Sequence, residues 1–150
     1  MRTPAALVAT ASAAAVIGLS VPVANAAAVP PVQITRVQYD SPGADTRTTA
    51  SLNAEYVQLT NTTARPISLR SWTLRDNASH VYGFGAFTLG ARARVIVHTG
   101  SGTPNTQHRY WQSKAYIWNN DRDSATLRNP AGRAVDTCSW TRPGKGFSAC

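Results

Sequence analysis

Seven acidic residues stand against fifteen lysines and arginines in this 150-residue sequence, and there are only two cysteines and one methionine. The scarcity of cysteine excludes a structural zinc site, because no second cysteine pair or suitably spaced histidine accompanies Cys138 and Cys150. No apolar 3.6-residue period runs through the chain beyond its first residues, which excludes a helical bundle. Basic runs are missing too. The arginines are scattered, so neither a charged tail nor a helix that reads nucleic acid is indicated.

What is present begins with a targeting segment. Met1-Arg2 supplies a small positive region, residues 5–23 are almost wholly apolar or small, and Ala24-Asn25-Ala26 offers the small-x-small pattern of a cleavage site. Residues 1–26 are therefore read as a signal peptide. Gly18, Ser20 and Pro22 make the run weak as a membrane anchor, no twin arginine is present, and no cysteine follows Ala26 to take a lipid. Cleavage would remove Arg2 and lower the formal charge from +8 to +7. The expectation is a secreted or extracellular protein, in some settings held at the cell envelope, with no transmembrane span after cleavage.

In such a protein two thiols are most simply one disulfide, Cys138–Cys150, stapling the last residues to the body of the fold. Residues 27–31 form a short Ala/Pro leader, and residues 32–150 make one domain. Within it, short alternating runs are broken by turn residues, as in an all-β sandwich. Residues 55–61 place Val57 and Leu59 on one face; Trp72 and Leu74, Val95 and Val97, and Ala125 and Leu127 do likewise in later runs. Residues 32–39 are less regular, since Val32 and Ile34 share a parity that Arg36 breaks. Residues 41–54 read as a long exposed loop. Further strands are expected over 67–75, 80–84, 116–118 and 134–140, with turns at 76–79 and 129–132. The stretch from Gly100-Ser101-Gly102 to Tyr110-Trp111 reads as a loop.

The blocks Glu55-Tyr56-Val57-Gln58-Leu59-Thr60-Asn61, Trp72-Thr73-Leu74-Arg75-Asp76 and Trp118-Asn119-Asn120 leading to Asp123 and Leu127 resemble the lamin-tail domain, an immunoglobulin-like module. His98-Thr99-Gly100-Ser101-Gly102 and Asp136-Thr137-Cys138-Ser139-Trp140 are similar to its secreted, actinobacterial-type branch. The resemblance implies a rigid sandwich that binds or tethers and carries no reaction centre. Two places depart from the family pattern. Leu89-Gly90-Ala91-Arg92 stands where Pro-Gly is often found, and Gln112 follows Trp111 in place of a glycine.

Catalytic groups and cofactors are not expected. Ser101 lies in Gly-Ser-Gly, without the pattern of a nucleophile elbow, and His80, His98 and His108 form no metal signature. Asp121 and Asp123 could clasp calcium or simply cap their own turn. Glu55 shares the parity of Val57 and Leu59, which suggests burial beside an arginine such as Arg70. Asn61-Thr62-Thr63 and Asn77-Ala78-Ser79 match the glycosylation pattern by chance.

Two surfaces could bind. Arg75, Arg92, Arg94 and Arg128, with Arg65 and Arg133 in turns, could present a basic face to nucleic acid or a cell-wall polyanion. Alternatively, Tyr110, Trp111, Tyr116 and Trp118 could form a stacking surface for carbohydrate, or fill one end of the core. The function expected is a secreted, non-enzymatic binding or tethering module for a protein or polymer ligand, with carbohydrate binding as the alternative. A small secreted hydrolase is a third reading, opposed by the lack of a nucleophile–base or metal pattern.

Overall fold

The computed structural model describes residues 28–141 and 144–150; the segment read as a signal peptide lies outside the described residues. Eleven strands and one short helix follow one another: β1 (Val32–Gln38), α1 (Thr49–Ala54), β2 (Tyr56–Asn61), β3 (Ile67–Ser68), β4 (Thr73–Arg75), β5 (Val81–Gly83), β6 (Thr88–Leu89), β7 (Arg94–His98), β8 (His108–Tyr110), β9 (Arg122–Arg128), β10 (Ala134–Thr141) and β11 (Phe147–Ala149). A five-stranded sheet in the order β11-β1-β2-β7-β8 faces a four-stranded sheet, β10-β9-β4-β5, and β3-β6 form a separate ribbon. This is the all-β sandwich expected from the alternation, of the immunoglobulin-like kind that the resemblance implies.

The core lies between the sheets. Val57, Leu59, Val95 and Val97 from one layer meet Leu74, Ala125 and Leu127 from the other, with Trp72, Trp118 and Trp140 filling the ends. Each apolar run buries one parity and leaves the other to solvent, so a one-residue register slip would put the valines and leucines in water. The broken parity of β1 has a local cause. Ile34 pairs with Leu59 and Arg36 with Gln58, so Thr35 is an extra residue, a β-bulge. The bulge turns Val37 back to the side occupied by Val32 and Ile34, and all three are fully buried.

The bulge also shapes the contact between layers. β11 pairs with β1 only from Arg36 to Gln38. The amide of Ile34 therefore has no strand beside it, and it donates to Asp136 Oδ2 of β10 at 2.7 Å. Asp136 itself follows a register shift between Ala134 and Asp136. Two irregularities in opposite sheets thus meet in one charge-assisted hydrogen bond. Nearby, Cys138 of β10 is bonded to Cys150, with Cα atoms 5.9 Å apart. The tail forms β11 on the edge of the other sheet, so the disulfide joins the two layers as well as holding the C-terminus.

Four expectations are corrected. The 41–54 segment contains α1, capped by Thr48 Oγ1, which accepts from Ser51 N, and anchored by buried Leu52. The expected 67–75 strand is two short strands, β3 and β4, separated by a turn in which Ser71 has φ 64° and the Trp72 amide donates to Leu69 O. Residues 116–118 are not a strand: the amides of Ile117 and Trp118 donate to Glu55 Oε1 rather than to a ladder. Conversely, the expected loop after Gly102 ends in β8, which returns parallel to β7.

Candidate functional site

The four arginines expected to share a basic face are divided between the sheets. Arg75 in β4 and Arg128 in β9 lie on the outside of the four-stranded layer, opposite Thr126 and Thr73 respectively. Arg122 begins β9 on that same outward parity. Arg92 and Arg94 belong to the other side of the molecule, where the β6–β7 turn runs into the five-stranded sheet.

Arg92 and Arg94 together line a cavity of about 530 Å³, with Thr88, Thr106 and Gln107. Arg94 and Gln107 also line a second cavity of about 270 Å³, completed by Gln58, Ile96 and His108. The two hollows adjoin at these shared residues along a groove over β7 and β8. Its described lining carries two guanidinium groups, hydroxyls, amides and an imidazole, and no carboxylate. Such a set offers hydrogen-bond donors and positive charge to an anion.

The backbone at Arg92 is unusual. Its φ of 57° lies in the left-handed region, in the turn where Ala93 N donates to Gly90 O. An L-residue there costs about 1 kcal/mol relative to glycine. The conformation lets the guanidinium donate to the Thr62 carbonyl and fixes it at the groove mouth. This is the turn that departs from the family pattern.

At the far end of the groove, two histidines stack with ring centroids 5.2 Å apart. His98 Nδ1 is 2.7 Å from the Asn53 carbonyl oxygen, which can only accept. In the neutral ring Nε2 therefore accepts the proton of His108 Nδ1, 2.9 Å away. Burial lowers the His98 pKa, the Asn53 hydrogen bond opposes that shift, and neighbouring His108 adds to it. Burial thus disfavours the charged form of His98, and its ring holds His108, which lines the groove.

The aromatic quartet is not one platform. Trp118 is 3% exposed and packs edge-on against both Trp111 and Trp140. Tyr110 stacks on His98 at 5.1 Å and covers Gly102, where an added Cβ would meet its ring. The glycines of Gly100-Ser101-Gly102 thus serve close packing, since a Cβ at Gly100 would strike Leu52 and Asn53. Tyr116 is hydrogen-bonded through its hydroxyl to Ser51 Oγ. It lines, with Trp118, a separate cavity of about 240 Å³.

Glu55 lies beneath that cavity and is 1% exposed. Among the described residues it has no arginine partner. Oε1 accepts from the Thr99 hydroxyl at 2.6 Å, the Ile117 amide at 2.8 Å and the Trp118 amide at 3.4 Å. Burial pushes its pKa up from 4.5 to about 7 against the pull of these three donors, and Asp45 adds a small upward push. A long side chain on the buried parity of a β-run was the available signal; its neutral partners, distant in sequence, were not.

Asp123 is 4% exposed and its oxygens accept from the amides of Asn77, Ser124 and Asn119. These bonds clasp two turns together. Asp76 accepts from the amides of Ala78 and His80 and pairs with His80 Nδ1 at 2.5 Å, closing the 76–79 turn. Among the described residues no group of three His, Cys, Asp or Glu could hold a metal ion. Asn61 is fully buried, its amide donating to Arg65, Leu89 and Gly90 carbonyls, so its place in a glycosylation pattern is coincidental.

A two-layer sandwich with a rigid, donor-lined groove and a stapled tail defines a β-sandwich binding or structural module. The chain belongs to the Lamin Tail Domain family, whose model matches residues 25–142. That family consists of immunoglobulin-like, non-catalytic domains. No curated protein matches the chain.

Proposed function

We propose that this protein is a secreted, non-enzymatic binding module that holds polyanions, nucleic acid or an anionic wall polymer, in the groove over β7 and β8. The observation that carries the proposal is the convergence of Arg92 and Arg94 on one cavity that continues through Gln107 to His108 without a carboxylate in its lining. Arg92 gives independent support, because a strained backbone conformation persists where the fold has a use for the side chain. Secretion is supported by the disulfide and the N-terminal sequence pattern. No helix among the described residues is long and apolar enough to cross a membrane.

Titration of the ¹⁵N-labelled protein with inorganic polyphosphate tests the site. Amide shifts concentrated at residues 88–96 and 106–108 are expected. Shifts confined to the Arg75, Arg122 and Arg128 face would move the site to the other sheet, and no shifts at low salt would refute the reading.

A further inference from the structure

The cavity over Glu55 differs from the groove in charge and in its aromatic walls. It is lined by Glu55 and Asp45, by Tyr39, Tyr116 and Trp118, and by the side chains of Ser41, Asn119 and Asn120. None of these residues is cationic. All three hydrogen bonds to the Glu55 carboxyl go to Oε1, so Oε2 is the oxygen left for the cavity. The wall holds a second polar atom without a partner: Trp118 Nε1 is buried and makes no hydrogen bond. Buried N–H groups are rarely left so, and among the described residues Trp118 lines two hollows. One is the Glu55 cavity; the other, across Tyr116 and Asn119, is lined by Arg122 and Asp123.

Two acidic groups with aromatic walls, and no cation in the described lining, favour a cation, and an ammonium suits both the charge and the rings. The asparagines narrow the class. Asn119 and Asn120 add polar groups to the lining, which a bare alkyl chain would leave unmatched and a hydroxylated ring would engage. We propose that this cavity binds an amino sugar, its ammonium on Glu55 Oε2 and Asp45 and its hydroxyls on the asparagine amides and the Trp118 indole. This site is independent of the polyanion groove and shares no residue with it. It gives Tyr116 and Trp118 a role in sugar binding through a hollow instead of a flat stacking face.

The test is a near-neutral titration of the intact protein with glucosamine, glucose and n-butylammonium, followed by amide shifts of residues 116–120 and by tryptophan fluorescence. Glucosamine is expected to shift those amides, with affinity lowered at least about tenfold in Glu55→Gln and about threefold in Asp45→Asn. Asp45 is exposed, so its variant leaves the fold intact should Glu55→Gln fail to fold. Glucose binding as well as glucosamine would overturn the ammonium assignment. Butylammonium binding as tightly as glucosamine would overturn the sugar. Silence from all three would remove the site, and leave the groove untouched.

Discussion

Single side chains carry most of what is distinctive here, and Arg92 shows how. A left-handed turn position is cheapest for glycine, so Arg92→Gly is expected to leave stability unchanged or raise it by about 1 kcal/mol while weakening polyanion binding. Thermal unfolding and binding of the same variant read the two effects separately; a destabilised variant with full affinity would contradict the assignment. Glu55 gives a pH signature. Its folded pKa, about 7, lies above the ordinary value of 4.5, so between those values the folded state holds the extra proton. Stability is then fully present below about pH 4.5 and declines as pH rises through 7, by on the order of 3 kcal/mol. Urea midpoints measured from pH 5 to 8 should fall for the native chain and lose that slope in Glu55→Gln. A rise over the same interval would show that Glu55 is not buried as described.

At the scale of elements, the strands with clean alternation were readable because burial on one face imposes a period of two on residue choice. β2, β7 and β9 show it in Val57 and Leu59, Val95 and Val97, and Ala125 and Leu127. Irregular pieces escaped for definite reasons. β1 carries a bulge that only its partner strand reveals, and α1 is too short for a helical period, buried through Leu52 alone. β8 has three half-buried residues, His108, Arg109 and Tyr110, whose pairing depends on the return of the chain beside β7. The groove was half legible: arginines on the outward parity were visible, but which of them share a hollow depends on strand order. β11 exposes a further consequence of topology. Because Cys150 is held to β10, reduction or Cys138→Ser/Cys150→Ser should cost about 3 kcal/mol and free the edge strand. Hydrogen exchange should then accelerate at residues 147–149 and 36–38 first; unchanged protection there would mean that β11 is held by its ladder alone.

For the whole molecule, a formal charge of +8 draws anions from a distance, yet charge alone does not choose a binding face. The sandwich does so by placing Arg75, Arg122 and Arg128 on the outside of one sheet and gathering Arg92 and Arg94 at the edge of the other. If the groove neutralises about two to three phosphates of a single strand, the logarithm of affinity should fall with the logarithm of salt at a slope of roughly −1.5 to −2. A salt-independent affinity would exclude the electrostatic account. The most direct measurement compares two double variants for binding a labelled single-stranded oligonucleotide at low salt. Arg92→Ala/Arg94→Ala should lose about tenfold or more in affinity, while Arg75→Ala/Arg128→Ala stays within about twofold of the native chain. Equal losses in both, or the larger loss in the second, would contradict a groove over β7 and β8.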